Sequence, residues 1–377
     1  MKTALILSGG GARAAYQVGV LKAIAELLPP TQHNPFQIIC GTSSGSINAA
    51  KLATEADDFH LSVDSLEELW GNLESRYIHQ IGFSEILSSV LKLFGSFFHS
   101  GIATGRPLSL FNNMPLRHLI GEHVDFQRLP KMIEQSHLYA LCITALGYTS
   151  GQSISFFQGN EDIKGWKTVR RKGFQTELRH EHIMASSALP GIFPSVRIHR
   201  EHFGDGAIRQ TAPLSSALHL GADRMMVIGI SGNKTQGEER KTETHSPSIA
   251  QMIGHLINAA FIDSLEEDIA MLERLNGLIA RIPENQQGKS KLRPVDVLVI
   301  EPSIHFDEVA GRHVRDLPRS MRWLLSIIGA TRRGGGSSLA SYVLFEKEYC
   351  RELIQHGYKD AMAQSERIRE FIAYCPI

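Results

Sequence analysis

Short, unbroken apolar runs recur along the first 230 residues, each followed by a turn rich in glycine or by a stretch of helical period. Residues 4–7, 36–40, 138–146 and 225–230 are apolar but for Gln37 and Thr144, the mark of strands buried on both faces rather than one. Residues 15–28 place Val18, Leu21, Ile24, Ala25 and Leu28 on one helical face, and Pro29-Pro30 stops them. The spacing of Leu61, Leu66, Leu69, Trp70 and Leu73 predicts a helix over 57–80, and further helices are expected at 107–121, 182–189 and 213–219. Residues 153–157 and 196–203 read as additional strands. The opening order of strand, glycine loop, helix, strand, turn and helix is that of a parallel α/β sheet.

The pattern changes at residue 232. Lys, Glu, Thr, Gln and Gly dominate 232–248, a solvated linker between a first unit at 1–231 and a remainder at 249–377. In that remainder a long helical pattern over 249–281 is expected to break near Gly277, and 295–300 supplies a last strand. After Phe306 the chain reads as a helix-rich extension. Two stretches carry apolar faces that suit either packing or contact with lipid. In 83–98, Glu85, Ser88, Ser89, Lys92 and Ser96 share one stripe, and in 319–333 an apolar patch lies between arginines.

Composition narrows the class. In 377 residues, Lys+Arg and Asp+Glu both number 39, so no overall basic field favours a nucleic acid. No run approaches the ~20 apolar residues of a membrane span. Met1-Lys2-Thr3 leads into an apolar run too short for a secretory signal. Cys40, Cys142, Cys350 and Cys375 are scattered without metal-ligand spacing. The chain reads as a cytoplasmic protein without disulfides, metal or cofactor, at most peripheral to a membrane.

The second strand runs into Gly41-Thr42-Ser43-Ser44-Gly45, a Gly-x-Ser-x-Gly turn with a helix behind it. Such an elbow lifts a serine hydroxyl out of the sheet, and its glycines leave room for a tight backbone. A serine N-cap without chemistry is the plainer alternative. The loop Ser8-Gly9-Gly10-Gly11-Ala12-Arg13-Ala14 also has two readings. As a dinucleotide site it needs an acid near the end of the next strand, and none stands between Pro29 and Lys51. As an oxyanion site, its backbone N–H groups face Ser43. Serine needs a base. Among 17 histidines the late ones, His305, His313 and His356, have no distinctive setting, whereas Asp205 stands between two glycines directly after a strand. A Ser–Asp pair and a Ser–His–acid triad both remain open at this point.

Four blocks in this order resemble the patatin-like phospholipases: Gly9-Gly10-Gly11-Ala12-Arg13, Gly41-Thr42-Ser43-Ser44-Gly45, the segment Ala185-Ser-Ser-Ala-Leu-Pro-Gly-Ile-Phe-Pro194, and Asp205-Gly206-Ala207. The resemblance implies a three-layer αβα sandwich around a mostly parallel sheet, with a helix-rich C-terminal extension. It implies hydrolysis of phospholipid or other acyl-lipid esters without a metal. Carried over by position, Ser43 is the nucleophile and Asp205 its base. Gly10, Gly11 and Ala12 supply the oxyanion N–H groups, and Arg13 holds phosphate or shapes the loop. Gly9, Gly41, Gly45, Gly206 and Ala207 support the motifs. The one departure is Ala14, where the family commonly has Gly.

Overall fold

In a computed structural model of the chain, which describes residues 1–29, 33–78, 109–230, 249–259, 263–282, 293–327 and 337–373, the apolar runs pair into one sheet. Its strands are β1 (Thr3–Leu7), β2 (Ile38–Thr42), β3 (Ala140–Gly147), β4 (Ser153–Gly159), β5 (Trp166–Lys167), β6 (Arg171–Gln175), β7 (Val196–Ile198), β8 (Glu201–Asp205), β9 (Arg224–Ile228) and β10 (Asp296–Ile300). The order is β10-β9-β1-β2-β3-β4-β6-β5, with β8 also paired to β3 and β7 to β8. From β10 through β3 every pairing is parallel. The pairings of β3 with β4 and with β8 are antiparallel.

Side chains alternate strictly between the two faces. Leu5 and Leu7, Ile39, Leu141 and Ile143, and Met226 and Ile228 enter one core. Ala4 and Ile6, Ile38 and Cys40, Ala140 and Cys142, and Met225 and Val227 enter another on the opposite face. The first core is covered by α1 (Ala15–Leu27), α2 (Ser44–Thr54) and α3 (Phe59–Gly71). Leu214, Ala217, Leu265 and Leu272 cover the second. The result is the three-layer αβα sandwich with a mostly parallel sheet that the sequence predicts. The described cysteines Cys40, Cys142 and Cys350 are buried and free.

Several expectations shift. The 196–203 segment is a hairpin rather than one strand: β7 and β8 fold back on each other at His199, which takes φ 52°. The left-handed turn falls on a histidine, so no Asn-Gly or Asp-Gly signal marks it. The helix expected to 80 stops at Gly71, and a short 3-10 turn, Ser75–Tyr77, follows. The expected break near Gly277 is absent, for the helix Ser264–Ile279 runs through it with open space where a side chain would stand. In the helix Arg319–Ile327, the apolar side chains of Met321, Leu324 and Leu325 are buried in the first core, so over these residues the patch packs inward. The other amphipathic stretch, 83–98, and residues 232–248 and 328–333 lie outside the described residues. No helix among the described residues is long and apolar enough to cross a membrane.

The region beyond 249 belongs to the same fold. It supplies β10, and the helix Lys347–Met362 lies along α1 with backbones in direct approach. A Cβ at Gly357 would overlap the Tyr16 carbonyl oxygen, and one at Gly19 the Ile354 carbonyl oxygen. Substituting Gly357→Ala should therefore destabilise the protein by about 1–3 kcal/mol, as overpacking does. Gly277→Ala should instead stabilise it by about 0.5–1 kcal/mol through helix propensity. Urea denaturation of the two variants checks both signs.

Candidate active site

The parallel pairing of β1 with β2 sets two strand-to-helix turns side by side at their C-terminal ends, where open α/β sheets hold their ligands. After β1 the chain runs through Ser8–Gly10 into a 3-10 turn, Gly11–Ala14, and then α1. After β2 it turns at Ser43 directly into α2. Ser43 is the N-cap residue, with φ 52° and ψ −131°, a conformation that costs a non-glycine residue roughly 1–3 kcal/mol. The glycines of the elbow permit it. A Cβ at Gly41 would press on Ala49 and Ser46 of α2, and one at Gly45 on the carbonyl oxygens of Leu7 and Ser8. Ser186, at the end of the helix His180–Ser186, braces the strained turn. Its hydroxyl accepts from the Ser43 N–H at 2.8 Å and donates to the Thr144 carbonyl of β3 at 2.6 Å.

The antiparallel pairing of β8 with β3 brings Asp205 opposite Ala145. There the Ser43 hydroxyl donates to Asp205 Oδ2 at 2.5 Å, across 162 residues of sequence. The Ala207 N–H donates to Oδ1 at 2.9 Å, and Gly206 packs its α-carbon against the Thr144 carbonyl. Burial pushes the Asp205 carboxyl up from 3.8 to about 7, against the opposing pull of the hydrogen bonds from Ser43 and Ala207. At neutral pH the group is thus partly ionised and a far stronger base than an ordinary carboxylate.

The glycine loop faces this pair. Gln17 of α1 donates to the Ser8 carbonyl at 2.8 Å. Asn48 of α2 donates to Gln17 at 3.0 Å and accepts from the Trp70 indole at 2.8 Å. The Gly10 N–H is engaged with the Ser44 hydroxyl at 3.1 Å. Gly11 lines the cavity beside Ser43 and opens the 3-10 turn, whose first N–H groups find no acceptor within it. Arg13 does not face the site. It is buried against Ser341, Tyr342 and Asp307, to which its Nε, Nη1 and Nη2 each donate.

The cavity at Ser43 and Asp205 encloses about 830 Å³ of empty space, solvent at its mouth included. Its wall is almost wholly apolar, with Ile47, Trp70, Leu73, Phe111, Leu189 and Phe345 among the lining residues. Among the described residues no histidine lines it. His313 is paired with Asp316 and Glu352, and His356 faces Glu352. His182 is buried behind the site, its Nδ1 accepting from the Arg179 N–H, and burial lowers it to about 4. Among the described residues no cluster of His, Cys, Asp or Glu is arranged to hold a metal ion.

Sequence reasoning singled out Ser43, Asp205 and the glycine loop, which the fold brings together, but assigned no role to Ser186, Gln17, Asn48 or Tyr342. Ser186 lies inside the 185–194 block, which was the available signal. The others are polar residues in apolar helices, visible only as buried positions that demand partners.

The patatin-like phospholipase profile matches residues 5–218. Calcium-independent phospholipase A2-gamma is 25% identical over 284 residues in both Oryctolagus cuniculus and Homo sapiens, covering 72% of this chain and 33% of each relative. The chain therefore spans about a third of the length of these curated relatives. A cUMP-AMP-activated phospholipase of Escherichia coli is 43% identical over 58 residues, 15% of this chain and 18% of that protein. The crystal structure of VipD from Legionella pneumophila aligns with 100% of this chain and 88% of its own at 13% identity, with a TM-score of 0.31.

The raised Asp205 carboxyl makes stability pH-dependent with a defined sign. Between about pH 4 and about 7 the folded chain holds a proton at Asp205 that the unfolded chain has released, so stability falls as pH rises through this window and levels off above it. Asp205→Asn removes that dependence. Urea midpoints of the wild type, measured from pH 4 to 8, should drop relative to those of the variant up to about pH 7 and run parallel beyond.

Proposed function

The chain belongs to the patatin-like phospholipase family, and on that premise we propose that it is a lipid acyl hydrolase cleaving carboxylic esters of phospholipids or lysophospholipids. The observation that carries this reading is the Ser43 hydroxyl resting on Asp205 at 2.5 Å inside an apolar cavity. The apolar wall suits a fatty-acyl chain, and the dyad sits where that chain's carbonyl carbon would enter.

In the proposed reaction Ser43 Oγ attacks the ester carbonyl while Asp205 Oδ2 takes its proton. The oxyanion of the tetrahedral intermediate is met by the N–H groups of Gly11 and Ala12. Gly10 joins them once its N–H leaves Ser44. Each donor of this kind contributes roughly 3 kcal/mol. As the intermediate collapses, the protonated Asp205 hands its proton to the departing alkoxide, and the alcohol or lysolipid leaves. Water then attacks the acyl-serine as Asp205 takes its proton. The fatty acid departs when Ser43 Oγ recovers that proton. A substrate of this class brings the enzyme to a membrane surface, and we place that contact at the cytoplasmic side.

A nucleotide-binding module built on the glycine loop is the reading to exclude. A fluorophosphonate probe should label the wild type and not Ser43→Ala, whereas a nucleotide-binding module would stay unlabelled. On a short-chain p-nitrophenyl ester, Ser43→Ala and Asp205→Asn should each lower kcat by about 10⁴-fold or more while far-UV circular dichroism stays unchanged. An Asp205→Asn enzyme of near-wild-type rate would rule the carboxylate out as base. Because Asp205 acts ionised, kcat/KM should rise with pH to a plateau above an apparent pKa of about 7.

A further inference from the structure

The glycine loop is held from the far end of the chain. Arg13 follows the loop and is only 3% exposed. Its Nε donates to Ser341 Oγ at 2.8 Å, its Nη1 to the Tyr342 hydroxyl at 3.2 Å, and its Nη2 to Asp307 at 3.1 Å. The guanidinium also lies 4.0 Å from the Tyr342 ring centre and 5.4 Å from that of Phe306. These partners are fixed in turn. Ser341 donates to the Ser338 carbonyl at 2.5 Å, and the Tyr342 hydroxyl donates to Asn258 at 2.7 Å. The Tyr349 hydroxyl donates to the Ser341 carbonyl at 3.3 Å. Gly11 closes the arrangement from the other side. It takes φ +57°, and its α-carbon meets the Tyr342 carbonyl so closely that a Cβ would overlap it. Tyr342 itself lines the cavity with Ser43. Every one of these partners lies beyond residue 218, where the family profile ends.

We propose that Asp307, Ser341 and Tyr342 are positioning residues for the Ser43 reaction: by clamping Arg13 they fix the Gly11–Ala12 backbone at the place where the oxyanion forms. The proposal rests on the reading of Ser43 given above. A loop of three glycines loses much conformational freedom on ordering, and a 3-10 turn of four residues gives little in return. Oxyanion donors must nevertheless stay in place, since a displacement of about 1 Å can cost roughly a hundredfold in rate. The Arg13 fork supplies that order. Three nitrogens find three acceptors in fixed directions, which the single ammonium of a lysine cannot reproduce. The region beyond residue 218 is then part of the catalytic machinery rather than an appendage.

The test uses the full chain carrying Arg13→Lys, Asp307→Asn, Ser341→Ala or Tyr342→Phe. The readouts are kcat and KM on p-nitrophenyl butyrate, the rate of Ser43 phosphonylation, the pH–rate profile and Tm. In Arg13→Lys and Asp307→Asn kcat should fall about tenfold or more with KM within about twofold, and phosphonylation should slow in parallel because the phosphonyl oxygen uses the same donors. The apparent pKa near 7 should stay where it is, since none of the substituted groups touches Asp205. If Arg13→Lys fails to fold, Asp307→Asn and Ser341→Ala decide. Folded variants with kcat within about twofold of wild type overturn the proposal, as does a raised KM at unchanged kcat, which would make Arg13 a substrate contact. A loss of activity that only tracks the unfolded fraction overturns it too. A wild type that neither hydrolyses ester nor takes the probe removes the functional reading and this inference with it. An active wild type with unimpaired variants removes this inference alone.

Discussion

A carboxylate buried with two hydrogen bonds for company is the constraint around which the rest is built. Asp205 is 1% exposed, and its partners are the Ser43 hydroxyl and the Ala207 N–H. An ionised carboxylate in such a place is costly. The surrounding fold makes it tolerable by holding both donors rigidly. The antiparallel attachment of β8 to β3 delivers the side chain, and the Asp205 N–H is secured on the Ala188 carbonyl. On the other side β2 ends in a strained turn at Ser43 that Ser186 braces. The same burial that strains the fold gives the carboxylate its basicity.

Around that pair the polar residues form one connected frame. Ser186 links the Ser43 turn to β3, and Gln17 and Asn48 link the glycine loop to the elbow helix and to Trp70. Their side chains lie in otherwise apolar layers, where an unmet hydrogen bond costs about 1–3 kcal/mol. Each is satisfied by another member of the frame, so the two turns cannot move independently. The apolar cavity occupies the space this frame leaves open, which sets Ser43 and Asp205 against a mostly apolar wall.

Much of this was legible in the sequence because its physics is local. Strands buried on both faces announce themselves as unbroken apolar runs, and β1, β2, β3, β9 and β10 lie close to where those runs fall. The elbow and the glycine loop carry their signal in glycines that close approach requires. What escaped was set by distant contacts. β5 is a two-residue edge strand, Trp166–Lys167, and β6, Arg171–Gln175, is a largely polar strand beside it, so nothing in their composition marks them. The β7–β8 hairpin turns on His199, whose left-handed backbone no residue preference predicts. The partners of Arg13 lie some three hundred positions away, so the sequence alone left open whether it holds a phosphate or shapes the loop, and its contacts fit the second.

The backbone contact between α1 and the helix Lys347–Met362 bears on how the protein is made. On the ribosome α1 emerges long before the helix that covers it, whose backbone meets it at Tyr16 and Gly19. The native packing of α1 must therefore wait until nearly all of these residues have left the exit tunnel. A nascent chain that already carries Ser43 and Asp205 therefore still lacks the helix against which α1 packs.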